Sequence, residues 1–155
     1  MRTGIGVDAH RFEAGRGLFL GGVEIEADMG LAGHSDADVL LHAIMDALLG
    51  ACGAGDIGEL FPDDDPVYKD ASSIDLLERV HEEVRSRGYA VVNVDAVVIC
   101  EEPKISPYRE RMREQIAHAL EVGTEAVSVK GTTTEGMGFT GRGEGVIAMA
   151  SVLIE

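Results

Sequence analysis

Two histidines and one aspartate have the types and spacing of a metal site. Asp8 and His10 lie two positions apart where a predicted strand ends, so their side chains should project from the same face of the backbone. His42 lies one turn into a segment with helical periodicity. Two imidazoles and one carboxylate form an open divalent-metal site that zinc or manganese would fit. The alternative is structural, with Asp8 paired to Arg2 or Arg11 and the histidine hydrogen-bonded in the core.

A candidate phosphate site precedes the same helix. His34 and Ser35 end a loop just where the helix is predicted to begin. Unpaired backbone N–H groups and the helix dipole favour an anion at such a position. Ser35 with Asp38 three residues later resembles a capping box, so simple capping is the alternative.

The segment Lys130–Glu135 follows a predicted strand and opens a glycine-rich loop. Backbone amides in such a loop can approach an anion closely. Thr132 and Thr133 add hydroxyl donors, and Arg142 adds a guanidinium. Glu135 could hold magnesium against phosphate oxygens. The alternative is a flexible surface hairpin without a ligand.

An acidic stretch runs from Asp56 to Asp63 and the two aspartates that follow. Gly58 and Pro62 interrupt it, which predicts a loop and not a helix. Most such runs are solvated surface. Asp56 and Asp63 could instead accept hydrogen bonds from the hydroxyls of a sugar or polyol.

The elements that must position these residues indicate an α+β fold. We expect a single domain over residues 1–155, with a mixed β-sheet covered by helices on one face. Hydrophobic periodicity and turn signals predict, in order, a strand over 2–7, a hairpin over 18–26 turning at Gly21-Gly22, a helix over 36–52, a helix from Ser72 or Ser73 to Gly88, a strand over 91–100, a helix capped by Ser106-Pro107 and ending at Gly123, and strands over 126–132 and 145–154.

The composition argues against several classes of protein. A formal net charge of −15 would repel nucleic acid and anionic lipid. No apolar run approaches the roughly 20 residues that cross a bilayer. The N-terminal residues lack an export signal, so we expect a cytoplasmic protein. Cys52 and Cys100 lack a C-x-x-C spacing, which favours buried thiols.

Several blocks of sequence together resemble the 2-C-methyl-D-erythritol 2,4-cyclodiphosphate synthase family. The resemblance runs nearly end to end, and the blocks follow the order of that family with similar separations. These blocks are Gly4–His10, Gly33–Asp38, Asp46–Gly50, Gly55–Gly58, Leu60–Asp63, Asn93–Asp95, Pro103-Lys104, Thr132–Glu135 and Gly138–Gly145.

The resemblance implies an enzyme of non-mevalonate isoprenoid biosynthesis. Its substrate would be 4-diphosphocytidyl-2-C-methyl-D-erythritol 2-phosphate, and its products the cyclic diphosphate and CMP. Asp8, His10 and His42 would hold zinc, and Asp8 and His10 would also contact the substrate. Glu135 would place magnesium between the α- and β-phosphates.

The resemblance also assigns substrate contacts to other residues. His34 and Ser35 would meet phosphate, and the erythritol part would contact Asp56, Gly58 and Asp63. Lys104, Thr132 and Thr133 would orient the diphosphate and cytidine from a neighbouring subunit. The residues expected in catalysis are His34, Lys104 and Thr133.

The family assembles as a homotrimer with active sites between subunits. Similar proteins have an apolar cavity on the threefold axis, where the segment of Phe139 and Arg142 can meet an isoprenoid diphosphate. Three features depart from the family pattern and bear on cytidine affinity: Gly131 in place of a common alanine, Ser106, and the pair Glu101-Glu102.

Two other functions fit parts of the pattern. A non-haem iron oxygenase also uses two histidines and one carboxylate, but it would need iron and oxygen. A trimeric nucleotide-binding sensor would use the same pockets without chemistry. A cyclase would work without oxygen and would release CMP.

Overall fold

The structure, a computed structural model, describes residues 1–62, 66–68 and 71–155, and its centre is a five-stranded mixed sheet. β1 (Arg2–Ala14) pairs antiparallel with β7 (Gly145–Ile154), which pairs antiparallel with β5 (Val91–Ile99). β6 (Val127–Thr132) runs parallel to β5 at one edge, and β4 (Met29–Leu31) forms the other edge beside β1. β2 (Leu18–Leu20) and β3 (Val23–Ile25) form a separate antiparallel hairpin.

Three longer helices cover one face of this sheet. α1 (Val39–Cys52) lies against β1 and β7 and is buried at almost every position. After the short α2 (Ile57–Leu60), α3 (Ser73–Ser86) packs on α1, and α4 (Arg109–Ala119) packs on α3 and beside β6. The short α5 (Gly138–Gly141) precedes β7, and single 3-10 turns occupy Pro66–Tyr68 and Thr124–Ala126. Among the described helices, none has the length and apolar character needed to span a bilayer.

Two glycines allow β1 and α1 to touch backbone to backbone. A Cβ atom at Gly6 would lie 2.0 Å from the carbonyl oxygen of Ala43, and one at Gly4 would lie 1.9 Å from that of Ala47. No side chain fits at such distances. The close approach brings the next residue on the same face of the strand, Asp8, against the side of α1 that carries His42.

The other face of the sheet carries exposed apolar side chains. Ile5 is 69% exposed, Val7 54% and Met149 36%. Val7 and Met149 are cross-strand partners, and Met149 pairs on its other side with Val97, so apolar residues form a row across three strands. This face of the sheet therefore leaves apolar side chains exposed.

The predicted α+β architecture, with a mixed sheet and helices on one face, is confirmed. The predicted hairpin is confirmed as well, and both turn glycines have the positive φ of a two-residue turn, 61° at Gly21 and 74° at Gly22. The first strand is longer than predicted and continues to Ala14, so Asp8 and His10 lie within β1 and not at its end. β4 was not predicted, because a three-residue edge strand leaves almost no periodic signal.

The predicted starts of two helices are wrong. α1 begins at Val39 because the carboxylate of Asp38 accepts the Leu41 N–H at 3.1 Å and thereby caps the helix, so the expected capping box at Ser35 does not form. α4 begins at Arg109, after a turn in which Tyr108 N–H donates to the Ile105 carbonyl at 3.0 Å. The residues expected to cap α4, 106 and 107, therefore precede the helix.

A candidate metal and phosphate site

Asp8, His10 and His42 meet in space and present one ligand atom each. Asp8 Oδ2 lies 2.9 Å from His10 Nε2 and 3.0 Å from His42 Nδ1. The two nitrogens are 3.2 Å apart. In a tetrahedral zinc site with bonds of about 2.0–2.1 Å, ligand atoms are about 3.3 Å apart. The observed triangle therefore fits a divalent cation with an open coordination position, in agreement with the predicted ligand set.

Neighbouring groups orient both imidazoles for this purpose. His10 Nδ1 lies 2.6 Å from the carbonyl oxygen of Ala32, which can only accept, so the ring donates there and keeps the Nε2 lone pair free. His42 turns Nδ1 toward Asp8, while its Nε2 lies 3.2 Å from Ser73 Oγ and 3.3 Å from Ser35 Oγ. Both ligand nitrogens thus face the same point.

The carboxylate of this cluster is held ionised. Burial alone would raise the pKa of Asp8, but its side-chain contacts with His10 and His42 outweigh burial and bring the pKa well below its usual range. Burial would lower the pKa of His10, yet its hydrogen bond to Asp8 raises that pKa above the ordinary value. A proton and a metal cation would compete for the same nitrogens.

The three side chains line a cavity of ≈ 280 Å³ together with Gly33, His34, Ser35 and Gly58. His34 Nε2 is buried and has no hydrogen-bond partner among the residues that the structure describes. An unpaired buried ring nitrogen costs free energy unless a ligand satisfies it. The predicted site residues at 34 and 35 are therefore in the same cavity as the metal triad.

The three backbone amides that follow Ser35 already have hydrogen-bond partners. The amide of Asp36 donates to the Ala71 carbonyl, that of Ala37 to Ser35 Oγ, and that of Asp38 to the Asp36 carboxylate. The local turn and the segment before α3 already use these donors. These three amides are therefore not free to bind a phosphate, and His34 and Ser35 line the cavity.

α2 positions the residues expected to hold the polyol. Asp56 is exposed and caps α2 by accepting the Glu59 N–H at 3.0 Å. Asp46, whose pKa burial raises, accepts the Ile57 N–H at 2.9 Å and so fixes α2 beside the cavity. Sequence reasoning missed both the helix and the aspartate on α1, although an aspartate followed three residues later by a glutamate is a helix-start signal. Asp63, also predicted to contact the polyol, and the two following aspartates lie outside the described residues.

Lys104, Thr132 and Thr133 line a different cavity of ≈ 150 Å³. Lys104 is exposed, and its ammonium group donates to the Glu101 carbonyl at 3.0 Å. Thr133 Oγ1 donates to Glu135 at 2.9 Å, so the threonine and the predicted magnesium ligand are joined.

The two cavities lie far apart within one chain. Asp8 pairs across the sheet with Ala148, which also pairs with Val98. Val98 in turn pairs with Gly131. Asp8 and Gly131 are therefore three strands apart, a gap of roughly 14 Å at about 4.8 Å per strand. The structure thus assembles the predicted site residues into two separate groups.

The remaining predicted residues lie on a third surface. Phe139 on α5 is 40% exposed. The exposed Arg142 donates to Glu144 at 2.6 Å. These residues do not line the cavity of the metal triad.

Comparisons with known proteins agree over nearly the whole chain. A sequence model of the YgbB family matches residues 1–155. A Moorella thermoacetica protein named 2-C-methyl-D-erythritol 2,4-cyclodiphosphate synthase is 58% identical over 154 residues, which cover 99% of this chain and 94% of that protein.

Solved structures show the same similarity. The bifunctional IspDF of Campylobacter jejuni superposes with a TM-score of 0.95 at 45% identity, covering 99% of this chain and 42% of that one. A 2C-methyl-D-erythritol-2,4-cyclodiphosphate synthase in its CDP-bound form gives a TM-score of 0.91 at 35% identity, covering 99% of this chain and 100% of the other. The similarity extends beyond any single motif.

Proposed function

The chain belongs to the YgbB family, and on that premise we propose that it acts in isoprenoid biosynthesis as a 2-C-methyl-D-erythritol 2,4-cyclodiphosphate synthase. Its substrate is 4-diphosphocytidyl-2-C-methyl-D-erythritol 2-phosphate. The observation that carries the proposal is the triangle of ligand atoms from Asp8, His10 and His42, with sides of 2.9, 3.0 and 3.2 Å. This triangle offers a cation site in the cavity that also contains His34 and Ser35.

The reaction is an intramolecular phosphoryl transfer. An oxygen of the 2-phosphate attacks the β-phosphorus, and the bond from that phosphorus to the oxygen bridging to the α-phosphate breaks. The bridging oxygen takes the electron pair and leaves as part of CMP, so the enzyme is a phosphorus–oxygen lyase. Such a step needs the phosphates held in line and their charge neutralised.

Two cations would supply this charge neutralisation. Zinc or manganese at the triad, with one carboxylate and two neutral imidazoles, forms a centre of net charge +1 that attracts a phosphate oxygen. Magnesium beside Glu135 suits the diphosphate, because Mg²⁺ in proteins is commonly bound by a carboxylate and substrate phosphates.

Side chains around the triad would bind the rest of the substrate. His34 has an unpaired buried Nε2 in the cavity, and Ser35 Oγ lies 3.3 Å from His42 Nε2, so both are available to phosphate oxygens. Gly58 lines the cavity on its α2 side, and Asp56 caps α2 two positions earlier. The erythritol hydroxyls would bind there, with Asp63 of the same motif.

The cavity of Lys104, Thr132 and Thr133 would take the cytidine and its diphosphate. Gly131 fits this cavity for a local reason, since a Cβ atom there would lie 2.8 Å from the Cβ atom of Ile105. The side chain of Ile105 thus occupies the space that an alanine at 131 would need.

We propose a homotrimer in which each site uses two chains. The gap of roughly 14 Å between the two cavities is removed if a neighbouring chain places its cytidine cavity beside the triad of the first. The exposed apolar row of Val7, Met149 and Val97 suits burial against a second copy. Phe139 and Arg142 remain the predicted contacts of an isoprenoid diphosphate on the threefold axis.

Phosphorus NMR of the purified protein with the cytidyl substrate tests the proposal. Zinc and magnesium should give stoichiometric CMP and a cyclic diphosphate, and the reaction should proceed without oxygen. Substrate binding without product would favour the nucleotide-binding sensor. A reaction that occurs only with iron and oxygen would favour the oxygenase. Binding without product, or a requirement for iron and oxygen, would overturn the proposed function.

A further inference from the structure

The far side of His42 is joined to two residues outside the substrate cavity. His42 Nε2 lies 3.2 Å from Ser73 Oγ, at the first residue of α3. Ser73 is fully buried, and its hydroxyl donates a hydrogen bond to the carboxylate of Asp36. The other oxygen of Asp36 accepts the Ser73 N–H at 2.9 Å. The chain of contacts therefore runs from the triad through His42 and Ser73 to Asp36.

Donor and acceptor chemistry fixes the direction of this chain. An ionised carboxylate only accepts hydrogen bonds, so Ser73 must donate its single hydroxyl proton to Asp36. The oxygen of Ser73 can then only accept, and His42 must carry its proton on Nε2 to complete the contact. A neutral imidazole with its proton on Nε2 keeps a lone pair on Nδ1, the atom that faces Asp8 and His10.

We propose that Ser73 and Asp36 are positioning residues that hold His42 in the tautomer required for metal binding. This inference rests on the proposed metal site and deepens it. Outer carboxylates that orient ligating histidines typically change metal affinity or activity by about 10- to 100-fold when mutated. Here a serine hydroxyl stands between the carboxylate and the imidazole, and its oxygen accepts the imidazole proton in place of the carboxylate.

In this arrangement, the contacts of Ser35 with Ala37 and His42 do not use its hydroxyl proton. Ser35 Oγ accepts the Ala37 N–H at 3.1 Å and lies 3.3 Å from His42 Nε2. Since His42 donates toward Ser73 or shares its proton between the two serines, neither contact uses the Ser35 proton. That proton can be donated to an anion in the cavity.

In the loop before α1, the carboxylates of Asp36 and Asp38 accept hydrogen bonds from different parts of the fold. Asp36 turns to the start of α3, while Asp38 turns to the backbone of Gly21 and Gly22 and to the cap of α1. Ala37 between them has a φ of 57°, which is unusual for a residue with a side chain. This conformation directs one carboxylate to the metal side and the other to the hairpin.

Asp36→Asn is the decisive variant. An asparagine oxygen can still accept the Ser73 N–H. Its amide group then replaces the oxygen that accepts both the Ser73 hydroxyl and the Asp38 N–H, and it donates to Ser73 Oγ. The hydroxyl proton then turns to His42 Nε2 and favours a proton on Nδ1, which blocks the ligand atom. We expect zinc affinity, measured by competition with a chelator, to fall about 10- to 100-fold. Ser73→Ala should weaken zinc binding in the same direction.

Ser72→Ala is the matched control, because Ser72 precedes Ser73 at the start of α3 and its side chain makes no capping hydrogen bond. Its zinc affinity should equal that of the unmodified protein. Urea unfolding of each metal-free variant separates a folding defect from a metal defect. A purely structural role for Asp36 would lower the free energy of unfolding and leave zinc affinity within about threefold of the control.

Nitrogen NMR of the metal-free, unmodified protein gives an independent readout if a variant does not fold. The inference predicts a proton on His42 Nε2 that exchanges slowly with water. A proton on Nδ1, or equal zinc affinity in the Asp36→Asn and Ser72→Ala proteins, overturns this inference. If the unmodified protein binds zinc and turns over while these results are negative, the proposed function stands and only the positioning role fails.

Discussion

His10 Nε2 lies 3.2 Å from His42 Nδ1, although 32 positions separate the two residues in sequence. The contact exists because β1 packs backbone to backbone on α1, at the two glycines where no side chain would fit. One strand supplies two ligands on a single face, and the adjacent helix supplies the third. The metal site is thus a direct product of how the sheet and its first helix pack.

His42→Ala should abolish both metal binding and turnover. The change leaves one imidazole and one carboxylate, which are too few ligands for a stable zinc site. Metal analysis after gel filtration and the CMP assay measure the two losses together. His118→Ala on the exposed part of α4 is the control and should keep both. Stoichiometric zinc in the His42→Ala protein would contradict the assignment of the ligand.

Gly6→Ala should destabilise the fold, because its Cβ atom would lie 2.0 Å from the carbonyl oxygen of Ala43. Relieving the clash requires β1 and α1 to separate, at a cost of about 1–3 kcal/mol or more in the free energy of unfolding. Urea denaturation measures this loss. Because β1 and α1 carry the ligands, zinc affinity should fall as well.

Gly50→Ala, in α1, should have the opposite effect on the free energy of unfolding. Gly50 lies in α1, and a Cβ atom there meets nothing within 4 Å. Alanine in a helix is favoured over glycine by about 0.5–1 kcal/mol, so this variant should be slightly more stable. Equal effects of the two substitutions would refute the packing argument.

The thiol of Cys100 should react slowly with alkylating reagents. Burial, and then the nearby charge of Glu102, raise its pKa to about 11. At pH 8 the thiolate fraction is then roughly one in a thousand, against about a quarter for an ordinary thiol with a pKa of about 8.5. Iodoacetamide labelling followed by peptide mass spectrometry should give full labelling only after unfolding in urea. Rapid labelling of the folded protein at pH 8 would show that the thiol is not protected.

Val7→Lys should prevent assembly of the proposed trimer. The substitution places a charge in the exposed apolar row that we expect a second copy to bury, and an unpaired buried charge is strongly unfavourable. Sedimentation velocity should show a smaller species, and CMP release should fall because each site loses its second chain. Glu114→Lys on the exposed face of α4 is the control. An unmodified protein that sediments as a monomer at full activity would contradict the two-chain site.

The metal ligands could be predicted from the sequence because their spacing carries the geometry. A two-residue separation on a strand puts Asp8 and His10 on one face wherever the strand ends, so the error in the length of β1 did not matter. The meeting with His42 required knowing which face of α1 packs on β1, and the resemblance to a family supplied that information. Periodicity alone left the structural alternative open.

The hydrogen bonds that hold the site together could not be predicted from local sequence patterns. The capping box at Ser35 was a reasonable expectation, but Asp38 caps α1 because its buried carboxylate also accepts the amides of a distant hairpin. The contact of Ser73 with Asp36 joins residues 37 positions apart. Such contacts depend on how α3 docks beside the loop, which no short window of sequence records.

Anomalous scattering from crystals grown with zinc and measured at the zinc absorption edge tests the central claim most directly. The account predicts a peak bonded at about 2.0–2.2 Å to Asp8 Oδ2, His10 Nε2 and His42 Nδ1 in every subunit. A crystal that shows zinc elsewhere, and none between these three atoms at full activity, would contradict it.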